Sequence, residues 1–294
     1  MVTYFRRLPK FDYVKPAGID EVLDLLESNQ DGKCRVYAGG TDVIPKLKTR
    51  AINSPEILID LKGIPGLDFI TYDDEIGLRI GALATVYSVA HSRVVKDRYP
   101  ILAQAAGSIA STQVQNRATL VGNICNAVPS ADSAPALLCL DATLDCVSKK
   151  GERTIRIGDF FLDPNKTSLR ADELVREIRI PPSADNSNGV YLKLSSRQRM
   201  DLAVVGVAAF ISTDGGRVKS ARVGLGAVAP TPMRAKKAEE ILQGEVIDEK
   251  VISRAAKAAS EESRPIDDHR ASAEYRKIMV DVLVRRGILQ VMNL

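Results

Sequence analysis

Apolar positions along this chain switch repeatedly between helical and strand-like spacing. Ile19, Val22, Leu23 and Leu26 recur at i, i+3, i+4 and i+7 behind Gly18 and Asp20, which predicts a short amphipathic helix. Arg35-Val-Tyr-Ala38 reads as a short strand running straight into Gly39-Gly40-Thr41-Asp42, and strand-like runs follow at residues 57–61 and 76–82. Thr85 is placed to cap a helix, and Pro100 opens another that runs to Gly107. Residues 120–126 read as extended. Residues 130–140 are small and apolar with Pro135 inside, and strand-like runs at 142–147 and 174–180 complete a first region of mixed helix and strand.

The texture changes at Pro181-Pro182-Ser-Ala-Asp-Asn-Ser-Asn-Gly189, which has the composition of a linker. Beyond it residues 190–194, 204–213 and 218–228 read as three strands, the last two joined by the hairpin signal Asp214-Gly215-Gly216. Helical patterns at 235–242, 249–260 and 270–286 close the chain. Strands followed by helices predict an α+β domain, here a three-stranded sheet plus helices over residues 190–294.

Composition narrows the function. Of the 294 residues, 45% are hydrophobic and 27% charged, the balance of a folded globular protein. No apolar run approaches a membrane span, and the first residues have basic groups without an apolar core behind them, so a cytoplasmic protein is expected. The net charge of +4 comes from 41 basic and 37 acidic residues that are evenly spread, which disfavours nucleic acid as a partner. Basic groups such as Lys46, Lys48 and Arg50 read as solvated faces or as part of a subunit docking surface. The four cysteines form no C-x-x-C pair and the two histidines are far apart, so no metal ligands are assigned to this chain. Redox chemistry, if present, requires an organic cofactor.

Two segments could bind one. Glycines directly after a strand, as in Ala38-Gly39-Gly40-Thr41-Asp42, let backbone N–H groups approach a ligand and form an anion-binding nest, with a hydroxyl and a carboxylate alongside. An ordinary Gly-Gly turn capped by Thr or Asp accounts for the same residues. The second segment, Asn116 to Asp132, is rich in small polar residues and suits a long polar ligand such as a ribityl chain. It also suits a loop whose Asn and Asp side chains bond their own backbone. Neither segment is a G-x-G-x-x-G or Walker fingerprint, and no G-x-S-x-G appears.

In this order the segments resemble the flavoprotein subunits of the xanthine dehydrogenase and carbon monoxide dehydrogenase family. Ala38-Gly39-Gly40-Thr41-Asp42, Thr119-Leu-Val-Gly-Asn123 and Pro129-Ser-Ala-Asp132 match the family's A-G-G-(T/H)-(D/S), T-(I/L)-G-G-N and P-(A/S)-(A/S)-D elements. The resemblance continues through Asp172–Pro181 and Lys193–Gly206 and covers essentially the whole chain. It departs where Val121 replaces the first glycine before Gly-Asn, implying a looser or differently angled backbone approach, and where Leu202 follows Asp201 in place of an aromatic residue.

The resemblance implies an FAD-binding region of the vanillyl-alcohol-oxidase type over residues 1–180, in subdomains of about 1–60 and 61–180, then a smaller α+β domain. It assigns Arg35, Val36, Ala38, Gly39, Gly40, Thr41, Asp42 and Val43 to the cofactor site from the first segment. From the second it assigns Ala118, Thr119, Gly122, Asn123, Cys125 and Asp132. Ile109, Leu174, Val175, Lys193 and Asp201 complete the set. Within it, Gly39–Asp42 and Asn123 would surround the pyrophosphate, and Thr119 and Asp132 would bond the diphosphate or ribityl region. Leu174 and Val175 would pack on a flavin-nucleotide ring, and Lys193 with Asp201 would tune or shield the flavin, unless the two are a structural ion pair or surface charges. No residue is assigned a catalytic acid or base role. The molybdopterin cofactor and [2Fe–2S] clusters would sit on a large and a small partner subunit, in a heterotrimer or its dimer. The competing readings are a self-sufficient flavin reductase or oxidase of the same domain type and a flavin-free scaffold subunit.

Overall fold

The computed structural model describes residues 7–29, 32–184, 186–197 and 200–293. Three larger sheets and one two-stranded hairpin organise them. The first is a three-stranded parallel sheet in the order Asp12–Val14, Ile57–Asp60, Cys34–Tyr37. The helix Ile19–Ser28 covers it, burying Val22, Leu23 and Leu26 against Ile59 and Leu61, so the 3.6-residue spacing in the sequence becomes the inner face of this small layer.

The second sheet is antiparallel, in the order Ile70–Asp73, Gly77–Gly81, Leu174–Ile180, Thr143–Ser148, Gly151–Arg156. One face carries the main core, in which Leu78, Ile80, Leu144 and Ile178 pack with residues of the helices Pro100–Gly107, Leu120–Cys125 and Ser133–Cys139. Residues 120–126, expected to be extended, form the helix Leu120–Cys125. The segment is too short for periodicity to separate helix from strand, and the Thr119 side chain decides the matter by accepting from Gly122 N–H at 3.0 Å.

The third sheet has four strands where three were expected: Ser187–Leu194, Val205–Asp214, Arg217–Gly226 and the two-residue Met233–Arg234. The expected linker also yields its last residues to structure, because Ser187 to Gly189 pair with Ser212 to Phe210. Gly189 is a packing residue there, since a β-carbon would stand 2.8 Å from the Phe210 ring. The strand Val205–Asp214 is buried on both faces. Ala208 and Phe210 belong to the main core, while Val205, Val207, Ala209 and Ile211 belong to a second core with the helices Lys236–Leu242, Glu249–Glu262 and Ala273–Met292. The two halves of the chain therefore share one strand.

Candidate cofactor-binding site

The two glycine-bearing segments meet. Gly39 packs so closely on Arg117 and Ala118 that a β-carbon would overlap the Arg117 carbonyl oxygen. Gly40 follows with φ +75°, a conformation that glycine adopts without penalty, and the Tyr37 ring occupies the place of a side chain there. The loop is braced from behind: Lys62 donates to the Ala38 carbonyl at 3.2 Å, lies over the Tyr37 ring at 3.5 Å, and bonds Asp60, which also accepts from the Tyr13 hydroxyl. Among the described residues, no acceptor is recorded for the N–H groups of Gly39, Gly40, Thr41 and Asp42, although they are half-buried at the entry to the helix Val43–Thr49. A run of free N–H groups in a tight turn is the donor set that a diphosphate needs.

The second segment lies alongside. Asn126 Nδ2 donates to Asp42 Oδ1 at 2.7 Å, and Lys46 Nζ donates to Asn126 Oδ1 at 2.5 Å and to Asn165 Oδ1 at 3.0 Å. Burial raises the Asp42 carboxyl pKa above its ordinary value, with Lys46 and Asn126 opposing; burial likewise lowers that of the Lys46 ammonium. Thr119 keeps its hydroxyl hydrogen after accepting from Gly122. Asn123 Oδ1 accepts from Ser133 Oγ at 2.6 Å, which leaves the amide hydrogens of Asn123 to donate outward. Val121 is in the main core, so its isopropyl group does not stand between the segments. Its N–H has no recorded acceptor among the described residues. The replacement of glycine leaves that donor available.

From Ser133 the seam continues through its neighbour Asp132. Asp132 is 7% exposed, and its two oxygens accept from Tyr191 Oη at 2.7 Å and Lys193 Nζ at 2.8 Å. Lys193 also donates to the Ser108 carbonyl at 3.1 Å. Burial pushes the Asp132 carboxyl pKa up, with the Lys193 ammonium and the Tyr191 hydroxyl opposing, and the buried Tyr191 phenol is pushed up as well. Beside Ser108, Gln115 Nε2 holds the Ile109 carbonyl at 2.7 Å, and Met200 N–H reaches the Ala110 carbonyl at 3.3 Å. A continuous line of side chains and loops thus runs from Gly39 to Met200.

The other residues assigned from sequence lie in the flanking strands, core and loops. Lys193 pairs with Asp132, not with Asp201, whose carboxylate accepts from the N–H groups of Arg197 and Leu202 in its own loop. Among the described residues the alternative of a structural ion pair between Lys193 and Asp201 therefore has no contact behind it. Leu174 and Val175 are core residues on the strand Leu174–Ile180; Leu174 joins the small core that Val36 also packs on, and Val175 joins the main one. Cys125 packs against the main core, where burial pushes its thiol up to about 12. Arg35 is exposed on its strand and Val43 begins its helix. Sequence reasoning missed Tyr191, Ser133, Lys46 and Asn165. The i, i+4 spacing of Asp42 and Lys46 was the one available signal, and nothing local links Lys46 to Asn165.

Two α+β subdomains that meet along a seam of free N–H groups, joined to a third sheet that supplies Tyr191 and Lys193, define a flavin-nucleotide-binding protein of the vanillyl-alcohol-oxidase type. Residues 9–183 match the family profile described as the FAD binding domain in molybdopterin dehydrogenase. Residues 190–291 match the carbon monoxide dehydrogenase flavoprotein C-terminal domain. The chain is 32% identical to the nicotine 6-hydroxylase medium subunit of Paenarthrobacter nicotinovorans, over 97% of this chain and 98% of the relative. It is 32% identical to the xanthine dehydrogenase FAD-binding subunit of Escherichia coli O157:H7, over 94% of both chains. Its fold is similar to that of a chain in a carbon monoxide dehydrogenase structure from Hydrogenophaga pseudoflava, with a TM-score of 0.93, 33% identity and coverage of 97% and 98% of the two chains. The protein belongs to the FAD-binding (medium) subunits of the xanthine dehydrogenase and carbon monoxide dehydrogenase family of molybdenum hydroxylases. It is an oxidoreductase subunit whose cofactor is FAD. Among the described residues no helix is long and apolar enough to cross a membrane.

Proposed function

We propose that this chain relays electrons, taking them from [2Fe–2S] clusters on a small partner subunit and delivering them to an external acceptor. Oxidation of the substrate then belongs to a large partner subunit that carries the molybdopterin cofactor, the three chains forming a heterotrimer or its dimer. The observation that carries this reading is the meeting of the two glycine-bearing segments beside a row of free N–H groups. When bound, FAD supplies the exchange of electrons one or two at a time, and the protein supplies orientation and electrostatics.

The chain's own residues divide the binding. The N–H groups of Gly39 to Asp42 would hold the diphosphate, with the Thr119 hydroxyl and the Asn123 amide as further donors. Lys193, oriented by Asp132 and the Ser108 carbonyl, keeps one ammonium hydrogen for the cofactor's polar atoms. Ile109, Met200 and Asp201 would border the far end. Arg35, Val36, Cys125, Leu174 and Val175 support these positions from the flanking strands and core.

The test is the visible spectrum of the purified chain and chromatography of the cofactor released on denaturation. A flavin spectrum with released FAD supports the binding half of the proposal. A colourless chain that stays colourless on titration with FAD would refute it. For the relay, bleaching of the flavin band by substrate should require both partner subunits; bleaching by substrate in the isolated chain would favour a self-sufficient flavoenzyme.

A further inference from the structure

We propose that Lys46 is a positioning residue for FAD, latching the two cofactor-binding segments together through the side-chain oxygens of Asn126 and Asn165. The inference rests on the reading that FAD lies along the seam.

The segments 39–46 and 117–126 run side by side and are fastened at two places. At one end Gly39 is pressed on Arg117 and Ala118. At the other end a ring of polar contacts closes. Asp42 accepts from Asn126 Nδ2, Asn126 Oδ1 accepts from Lys46 Nζ, and Lys46 lies one helical turn beyond Asp42 on the helix Val43–Thr49. Asn126 caps the C-terminal end of the helix Leu120–Cys125, whose N-terminal turn carries Thr119 and Gly122. An ammonium at that end also suits the partial negative charge of the terminal carbonyls.

The second arm of Lys46 reaches a third segment. Asn165 is in the turn of the hairpin formed by Phe161–Asp163 and Lys166–Thr167, with φ +59°. Its N–H donates to the Ala127 carbonyl at 2.8 Å while its side-chain oxygen accepts from Lys46 at 3.0 Å. One ammonium therefore joins the glycine loop, the end of the second binding segment and a hairpin of the antiparallel subdomain. Two of its three hydrogens are used inside the protein, so Lys46 acts by fixing the separation of the N–H row from Thr119 and Asn123. A cofactor that bridges both segments binds more tightly when that separation is set beforehand, because less ordering is left to binding.

The experiment uses the full chain stripped of flavin, as wild type, Lys46→Met, Asn165→Ala and Lys46→Arg. FAD affinity is read from flavin fluorescence on titration, and the thermal midpoint is read on the cofactor-free protein. Lys46→Met and Asn165→Ala should each raise the FAD dissociation constant roughly tenfold, with the cofactor-free midpoint close to wild type. Lys46→Arg should bind near the wild-type level, since a guanidinium reaches both amide oxygens. The double variant Lys46→Met with Asn165→Ala should bind no more weakly than Lys46→Met alone. Unchanged affinity in Lys46→Met and Asn165→Ala overturns the latch while leaving the seam intact. A loss of affinity that tracks a falling midpoint in both variants also overturns it, reducing Lys46 to a structural residue. A wild-type chain that takes up no FAD refutes the seam itself.

Discussion

Gly39 has no room for a β-carbon against the carbonyl group of Arg117, so the two cofactor-binding segments are in backbone contact. Gly39→Ala must push them apart. The overlap is with backbone rather than a flexible side-chain end, and overpacking of this kind costs about 1–3 kcal/mol. The expected outcome is a folded chain with a lower unfolding midpoint and a flavin-to-protein ratio well below wild type. A variant with full flavin content would show that the contact does not set the site.

Lys193 and Asp132 form the buried ion pair of the seam, with side chains 11% and 7% exposed. Removing one partner of such a pair strands the other, at about 3–5 kcal/mol. Lys193→Met should be destabilised in chemical denaturation by an amount in this range, and Asp132→Asn added to it should recover part of the loss. The pH dependence has a definite sign. Burial already raises the Asp132 carboxyl above its unfolded value, and loss of Lys193 raises it further. Its favourable contribution is full below an unfolded pKa of about 3.9 and is lost as pH rises through the raised folded value. The deficit of Lys193→Met should shrink on going from neutral to acid pH.

Glu177 behaves in the opposite way. Burial opposes its ionisation, but hydrogen bonds from Arg79 at 2.7 Å and Arg179 at 2.5 Å outweigh burial and hold the carboxyl below its ordinary value. Its contribution is present above the unfolded pKa of about 4.3 and is lost as pH falls through the folded value. Glu177→Gln should lower stability at pH 7 and flatten the acid limb of the stability curve. An acid limb as steep as wild type would exclude this group as a source.

Arg276 is 1% exposed on the helix Ala273–Met292 and donates to the Val204 carbonyl at 2.8 Å, the Ala227 carbonyl at 3.1 Å and Asp268 at 2.7 Å. Arg276→Met leaves two carbonyls and a carboxylate short of a donor. A loss of about 3–5 kcal/mol is expected in urea denaturation, and Arg276→Lys should recover little because one ammonium does not span the fork.

Several of these relationships were legible in the sequence. The spacing of Val22, Leu23 and Leu26 marked the first helix, and Asp214-Gly215-Gly216 marked the hairpin between the strands Val205–Asp214 and Arg217–Gly226. The glycine loop and the Thr119–Asn123 segment could be read because their chemistry is local. Residues 120–126 were misread because a six-residue helix interrupted by Gly122 and Asn123 carries no decisive period and Thr119 lacks the acidic partner of a capping box. The short strand Met233–Arg234 has no pattern of its own; its pairing with Gly224 and Leu225 creates it. Tyr191 and Asn165 were out of reach for a different reason. They meet Asp132 and Lys46 across 59 and 119 positions, and only the completed packing sets such distances.

The strand shared by the two cores has a thermodynamic consequence. Ala208 and Phe210 face one core while Val207 and Ala209 face the other, so neither half can melt without stripping apolar cover from its neighbour. Ligand binding then cannot stabilise one half in isolation. Saturation with FAD should raise a single calorimetric transition that includes the C-terminal helices, and amides in Glu249–Glu262, which no cofactor atom is expected to reach, should exchange more slowly in the loaded chain.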